Sequence, residues 1–302
     1  MIELELDSPV ICIAGPTASG KSDYAVRVAK AVDGEIVNAD ALQVYADLKI
    51  LSARPRADEM DGVPHHLFGH ISGGTAYSTG EWVRDVVPVL SAIAGRGRVP
   101  VIVGGTGLYF QALLQGLADI PPVPDHIEGE VSGIDINDLR EEAQAVDPIA
   151  TARILGDDPQ RLGRVVGVWR ATGRALSDWQ ADTRPVLRAE RIFRAVILPD
   201  RKALYARIDA RFDRMIQAGA LDEARTVVAS VGRNRSPMLK AIGLSHLLSY
   251  LDGGCDLETA IQTAKRDSRR LAKRQMTWFR NRCRDWSVLA TDEDKDEFLA
   301  SL

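Results

Sequence analysis

Val10-Ile11-Cys12-Ile13-Ala14-Gly15-Pro16-Thr17-Ala18-Ser19-Gly20-Lys21-Ser22 passes from a short apolar run into a glycine-bounded turn. The apolar run suits a strand covered on both faces. After the turn, Tyr24, Ala25, Val28, Ala29 and Val32 recur at helical spacing. Strand, turn and helix in that order frame Gly15, Pro16, Thr17, Ala18, Ser19, Gly20, Lys21 and Ser22, which match G-x-x-x-x-G-K-[ST]. The glycines let backbone N–H groups converge on one point, and the helix that follows adds its positive end. Lys21 is placed to reach a terminal phosphate, and the Ser22 hydroxyl suits Mg²⁺, a cation that prefers oxygen ligands. These eight residues predict a phosphate-chain cradle and leave the compound that carries the phosphates open.

Outward from the cradle the same rhythm continues. Glu35 to Asn38 reads as a second strand, and Ser78-Thr79-Gly80-Glu81 has the form of a capping box opening a helix through Trp82, Val86 and Leu90. Pro100 to Val103 returns as a buried strand closed by Gly104-Gly105. Alternation of this kind predicts a parallel sheet with right-handed crossovers. It breaks at Ile120-Pro121-Pro122-Val123-Pro124-Asp125, whose prolines make a stiff connector. A helical pattern covers Asp138 to Trp179, a strand-like run covers Phe193 to Leu198, and helical patterns follow over Arg201 to Ala218, Leu221 to Val231, Ala241 to Leu251 and Leu257 to Arg282. The expected architecture is α/β, a P-loop NTPase-like parallel sheet core with a helical insertion domain and a helical C-terminal region. Its expected divisions are 1–124, the first part of the core; 125–191, the insertion; and 192–302, the second part of the core with basic C-terminal helices.

The 302 residues are 45% hydrophobic and 26% charged, a globular composition that excludes disordered and collagen-like chains. A net charge of −4 supplies no global attraction to nucleic acid, so any such binding must use local basic patches. Cys12, Cys255 and Cys283 lie far apart, which excludes a disulfide framework and fits a reducing compartment. With neither a secretory signal nor an apolar run near the ~18 residues that span a bilayer, the expectation is a cytoplasmic protein without a membrane partner.

A nucleotide hydrolase usually ends a later strand in an acid, but Val99 to Val103 runs into Gly104-Gly105-Thr106-Gly107 without a carboxylate. The acid comes earlier, in Asn38-Ala39-Asp40. The carboxyl ends of parallel strands face the ligand crevice, so Asp40 and Thr106 should share one rim with the cradle. His65 and His66 lack H-E-x-x-H spacing or a neighbouring thiolate, and a structural or loop role is expected for them.

Taken in order, several blocks resemble the bacterial tRNA dimethylallyltransferases (tRNA isopentenyltransferases). They are the cradle; Asn38-Ala39-Asp40 through Gln43-Val44-Tyr45; Pro64-His65-His66-Leu67; and Val103-Gly104-Gly105-Thr106-Gly107-Leu108-Tyr109. Asp147-Pro148, Asp158-Pro159-Gln160-Arg161, Thr172-Gly173 with Ser177, Arg207-Ile208 with Arg211 and Met215, Ala241-Ile242-Gly243 and Ala272-Lys273-Arg274-Gln275-Met276-Thr277-Trp278 complete the set. The resemblance implies transfer of a dimethylallyl group from dimethylallyl pyrophosphate to the exocyclic amine of the adenine 3′ of the anticodon, in tRNAs reading codons that begin with U. The products would be N6-(dimethylallyl)adenosine and pyrophosphate. It further implies a general-base role for Asp40, leaving-group contact by Arg211, Thr17 near the transferred group, Thr106 near the base, and Mg²⁺ as cofactor with Ser22 as its protein ligand. Asp40, Ala41, Leu42, Gln43 and Thr106 would line the pocket of a flipped-out base, whose edges such an enzyme must hold. Gln160, Arg161, Leu162, Gly163 and Arg164 would meet the anticodon arm. The chain departs from the family pattern at Ala41, Leu51, Gly167 and Leu244-Ser245-His246.

Independently of that likeness, Lys265 to Arg284 holds nine basic residues against Asp267, a local balance of +8. Arg266, Arg270 and Arg274 recur every four residues and form a stripe on one helix face, suited to an RNA backbone. Leu271, Trp278 and Phe279 are expected to pack inward. Two other readings of the cradle stand beside prenyl transfer: a small-molecule kinase with ATP in the cradle and Asp40 deprotonating a hydroxyl, and a nucleotide-gated RNA-binding module. A monomer is expected.

Overall fold

The computed structural model of this protein describes residues 3–232 and 236–302. The first elements are β1 (Leu4–Leu6), β2 (Val10–Ala14), α1 (Lys21–Ala31), β3 (Gly34–Asn38), β4 (His65–His66), α2 (Thr79–Gly95), β5 (Val99–Gly104) and α3 (Gly107–Gln115). Five helices follow: α4 (Asp125–Ser132), α5 (Ile136–Val146), α6 (Pro148–Ala152), α7 (Pro159–Thr172) and α8 (Leu176–Ala181). Strands β6 (Leu187–Ala189) and β7 (Ile192–Ile197) then precede α9 (Arg201–Gln217), α10 (Ala220–Val231), a 3₁₀ turn (Pro237–Lys240), α11 (Leu244–Leu251), α12 (Leu257–Arg282), β8 (Ser287–Leu289) and α13 (Asp292–Ala300). No helix among the described residues is long and apolar enough to cross a membrane.

The chain divides into two compact units, one holding Leu4–Ala112 with Leu187–Leu302 and the other holding Leu113–Val186. In the first unit six strands form one parallel sheet in the order β4-β3-β5-β2-β7-β8, and β1 pairs with β6 in a separate parallel ribbon. Strands β2 and β3 are buried along their whole length, in keeping with cover on both faces. One core layer gathers Ile11, Ile13, Val28, Ile36, Val101 and Ile197; another gathers Val44, Leu48, Phe212, Leu244 and Leu247 beneath α9 to α12. The capping box at Ser78 and Glu81 is formed, and Trp82 and Leu90 beyond it are fully buried.

Glu35 and His66 account for two polar residues at the sheet. Glu35 accepts from Arg96 and lies 2.6 Å from His66 Nε2, and His65 Nδ1 lies 2.8 Å from the Val63 carbonyl oxygen. Burial alone would raise the Glu35 pKa, but the bonds to Arg96 and His66 bring it below its ordinary value.

The second unit is a small helical bundle packed around Val131, Leu139, Leu162, Val165 and Leu176. Asp147, 1% exposed, knits it together. Its carboxylate accepts from the Ala150 N–H at 2.8 Å, the Ser177 N–H at 2.7 Å and the Ser177 hydroxyl at 2.8 Å. Burial works to raise its pKa, and these bonds more than reverse that, leaving it below the ordinary carboxylate range. The Asp147-Pro148 and Ser177 motifs therefore join α6 to α8.

The helix expected from Ala241 begins only at Leu244. Gly243 takes a φ of 99°, and a Cβ there would come within 3.0 Å of both Leu51 Cδ2 and Phe212 Cε2. A tight approach also governs Gly104. A Cβ at that position would lie 2.0 Å from the Ala39 carbonyl oxygen. Gly104→Ala should therefore force strands β3 and β5 apart and destabilise the protein by about 2 kcal/mol. Equilibrium chemical denaturation checks this; a midpoint equal to that of the unsubstituted chain would contradict it.

Candidate functional site

The phosphate loop leaves β2 at Gly15 and enters α1 at Lys21. Ala18 at φ 61° and Gly20 at φ 86° turn the backbone inward there. Lys21 Nζ has only a long contact, 3.4 Å, to the Pro16 carbonyl oxygen. Dehydration lowers its pKa to about 8, Asp40 raising it and Arg211 lowering it further. Arg211, on α9, is lowered to about 10, again chiefly by burial, with Asp40 acting in the opposite direction. Among the described residues neither cation has a carboxylate oxygen within 4.0 Å. The Ser19 hydroxyl is buried in the loop without a hydrogen-bond partner. Two dehydrated cations and an unsatisfied buried hydroxyl make a strongly anion-seeking cradle.

Asp40 sits at the end of β3, and its position follows from Asn38. The Asn38 side chain, fully buried, accepts from the Asp40 N–H at 2.9 Å and donates to the carbonyl oxygens of Asp40 and Leu67. Trp82 Nε1 holds the Asn38 carbonyl oxygen at 2.9 Å while its ring stacks on Tyr109 at 4.3 Å. Asp40 Oδ1 accepts from the Leu42 N–H at 3.0 Å. That bond turns the other oxygen, Oδ2, toward the 104–107 loop, where a Cβ at Gly105 would lie 3.3 Å from it. The Thr106 hydroxyl accepts from the Ala41 N–H at 2.9 Å. The cradle, Asp40, Thr106 and Arg211 are thus brought to one rim, at the carboxyl ends of β2, β3 and β5.

Gln43 is held differently from a free base-reading amide. Its Nε2 already donates to the carbonyl oxygens of Ser52 and Ala53, at 3.1 and 2.8 Å, so only Oε1 remains to face a ligand. The segment carrying those carbonyls is fixed by Glu223, whose carboxylate accepts from the N–H groups of Lys49, Ile50 and Leu51 at 2.7–2.8 Å. Leu51 is buried against the α9–α12 layer. Ala41 and Leu42 keep part of their surface exposed beside Asp40.

The sequence marks no role for Trp82 or Glu223, and it sets Asn38 and Gln275 only within motifs. Gln275, on α12, accepts from the Thr17 N–H at 2.9 Å and donates to the Gly105 carbonyl oxygen at 3.0 Å. Arg211 donates to the Thr17 hydroxyl. A polar residue set one position before the buried Met276 on an otherwise apolar helix face was the available signal for Gln275.

The basic helix α12 is less free than its charge count suggests. Lys265 pairs with Asp213 at 2.6 Å and Arg269 with Asp209 at 2.5 Å, both on α9. Asp267 meets Arg266 at 3.3 Å, Arg270 at 3.0 Å and His246 at 3.1 Å. Arg266, Arg270 and Arg274 are all exposed, and among the described residues Arg274 alone of the three has no carboxylate partner. Phe279 is buried as expected; Trp278 is half-buried and lies over Gly107, where a Cβ would meet its ring at 2.4 Å.

In the helical unit, Gln160, Arg161 and Arg164 are exposed on α7, and the Asp158 carboxylate caps that helix by accepting from the N–H groups of Gln160 and Arg161 at 3.1 Å each. Leu162 is fully buried, so it seats the helix and presents no surface to an RNA. Gly163 lies against Val131.

The match of this chain to known proteins is extensive. A family model described as IPP transferase covers residues 43–282, and one described as isopentenyl transferase covers residues 8–68. The chain belongs to the IPP transferase family. The curated tRNA dimethylallyltransferase of Maricaulis maris is 48% identical over 94% of this chain and 94% of its own length. That of Rhizobium johnstonii is 45% identical over 92% of this chain and 96% of its own. Among solved structures, the full-length tRNA isopentenylpyrophosphate transferase of Bacillus halodurans superposes with a TM-score of 0.70 at 33% identity, covering 98% of this chain and 95% of that one. A eukaryotic dimethylallyltransferase captured acting on tRNA gives a TM-score of 0.78 at 26% identity over 90% of this chain and 70% of that chain. This IPP transferase family member is therefore a transferase, and neither the kinase nor the binding-only reading describes it.

Proposed function

We infer that this protein transfers a dimethylallyl group from dimethylallyl diphosphate to N6 of the adenine 3′ of the anticodon in tRNA. Its named relatives are tRNA dimethylallyltransferases. The observation that carries the reading in this chain is the juxtaposition of Lys21 and Arg211, two cations without a carboxylate partner among the described residues, with the carboxylate of Asp40 beside Gly105. Such a site receives an anionic leaving group on one side and a proton on the other. In the reaction the C1–O bond of the allylic diphosphate breaks as an N6–C1 bond forms. The diphosphate departs into the cradle, where Lys21, Arg211 and the loop N–H groups stabilise the charge as it develops. The N6 proton passes to Asp40. Thr106, held by the Ala41 N–H, and the free Oε1 of Gln43 border the same rim and would meet the base edge.

Magnesium fits the residues present. Ser22 stands in the first turn of α1 beside Lys21, partly exposed at the mouth of the loop. No group of three His, Cys, Asp or Glu side chains among them could hold a metal ion. The Ser22 hydroxyl, an oxygen ligand at the phosphate end of the loop, would hold Mg²⁺ together with the diphosphate oxygens, as this ion commonly binds. When bound it would add positive charge at the leaving group. Gly15 to Gly20 would wrap the phosphates. Arg266, Arg270 and Arg274 on α12, and separately Gln160, Arg161 and Arg164 on α7, would contact the tRNA. The protein is proposed to act as a monomer in the cytoplasm, where unmodified tRNA and reduced thiols coexist.

Incubation of the purified protein with Mg²⁺, dimethylallyl diphosphate and unmodified tRNA bearing an adenine-rich anticodon loop should yield N6-(dimethylallyl)adenosine and diphosphate in equal amounts. Nucleoside mass spectrometry reads the product, and unaltered adenosine throughout would reject the assignment. The arginine stripe has its own test. Arg274→Gln should weaken tRNA binding more than Arg270→Gln, because Asp267 already neutralises part of Arg270. The triple replacement of Arg266, Arg270 and Arg274 should reduce the slope of log affinity against log salt by about 1–2. Filter binding across a salt series measures both, and an unchanged slope would exclude the stripe from the RNA interface.

A further inference from the structure

We propose that Gln275 is the positioning residue that holds the phosphate loop and the 104–107 loop in register, and that it makes α12 the lever through which bound RNA acts on the reacting groups. The proposal rests on the function inferred above and extends it to a residue with no assigned part in the reaction.

A single amide joins the two halves of the site. Gln275 Oε1 takes the Thr17 N–H at 2.9 Å, and Nε2 gives a hydrogen to the Gly105 carbonyl oxygen at 3.0 Å. Thr17 lies on the leaving-group side, Gly105 on the side of Asp40 and Thr106. The fit around the amide is tight. A Cβ at Gly105 would lie 2.7 Å from Gln275 Nε2, 3.3 Å from Asp40 Oδ2 and 3.4 Å from the Gly15 carbonyl oxygen. Glycine at 105 lets all three groups close on one point.

Helix α12 touches the 104–107 loop a second time, one turn later, where Trp278 covers Gly107. It is also fastened to α9 by Lys265–Asp213 and Arg269–Asp209. Between those two acids on α9 stands Arg211, which grips the Thr17 side chain. Thr17 is therefore held from both helices, its N–H by α12 and its hydroxyl by α9. Ala272, Met276 and Phe279, buried on the same side of α12 as Gln275, resist independent rotation of that side. Arg274, exposed and with no carboxylate partner among the described residues, immediately precedes Gln275. A helix packed this way transmits a small displacement as a unit.

Gln275→Met, which keeps the volume and removes both hydrogen bonds, tests the idea. At saturating substrates kcat should fall about 10- to 100-fold, the cost of a small misplacement of reacting groups. The KM for dimethylallyl diphosphate and the Kd for tRNA should change by less than about threefold, since Lys21, Arg211 and the arginine stripe remain. Unchanged kcat, or a loss confined to KM or Kd, would overturn the proposal. Hydrogen exchange followed by NMR supplies readouts that do not depend on turnover. In Gln275→Met the Thr17 amide, deprived of its acceptor, should exchange at least about tenfold faster. In the unsubstituted protein, an anticodon stem-loop RNA should slow exchange at Thr17. That response should survive in Lys21→Met and vanish in Gln275→Met. A Thr17 amide indifferent to both the substitution and the RNA would refute the lever even if the protein prenylates tRNA normally. Conversely, a Thr17 response without any prenylated product would leave Gln275 as a positioning residue and reject the reaction. Should Gln275→Met not fold, the RNA response of the unsubstituted chain alone decides.

Discussion

Asp40→Asn should lower kcat for prenylation by about 10²- to 10⁴-fold, the range expected when a general base is removed, while tRNA affinity stays within about threefold. Asparagine is the informative substitution because it preserves the local turn. The Leu42 N–H needs an acceptor at Oδ1, now 3.0 Å away, and an amide oxygen supplies one. Asn38 would continue to hold the Asp40 backbone through its N–H and carbonyl oxygen. What disappears is the basicity of the oxygen that faces Gly105. An aryl amine such as adenine N6 is a poor nucleophile, and it must shed a proton as the new C–N bond forms. Single-turnover measurements with saturating RNA isolate this step. Turnover within a few-fold of the unsubstituted rate would remove Asp40 from its role as base.

Lys21→Met should reduce kcat/KM for dimethylallyl diphosphate by about 10²- to 10³-fold, as expected for loss of a charge aimed at a departing oxyanion. The same residue predicts a pH dependence in the unsubstituted enzyme. Burial brings Lys21 down to about 8, so in the free protein it loses its proton as pH rises through that value. Only the protonated form attracts a diphosphate, and kcat/KM should decline above about pH 8. Once the anion is bound its charge favours the ammonium and moves the titration upward. The alkaline limb of kcat should accordingly lie at higher pH than that of kcat/KM. Lys21→Met should abolish the difference between the two limbs. Coincident limbs in the unsubstituted protein would mean that another group sets the alkaline decline.

The origin of these effects bears on how the chain encodes its site. Asp40 and Lys21 are separated by a helix and a strand, and they come together because parallel strands deliver their carboxyl ends to one edge. The sheet that does so was legible in the apolar runs at Val10 to Ala14, Glu35 to Asn38 and Pro100 to Val103. Strands β1, β4, β6 and β8 were not, because two or three residues are too few to establish a periodicity. The break at Gly243 escaped the helical pattern for a different reason. Its φ of 99° answers to the approach of Leu51 and Phe212, residues distant in sequence.

Local order of residues was sufficient to determine the phosphate loop, the alternation that builds the parallel sheet, and the arginine stripe of α12, since each depends on neighbours within one or two turns of chain. Tertiary structure alone decided which of those charges remain available and which amides are already engaged. Asp209 and Asp213 pair with Arg269 and Lys265, Glu223 collects three N–H groups at Lys49 to Leu51, and Gln275 spans Thr17 and Gly105. Such pairings join groups dozens to hundreds of residues apart. They follow from where folding places donors and acceptors, each of which must find a partner once water is excluded.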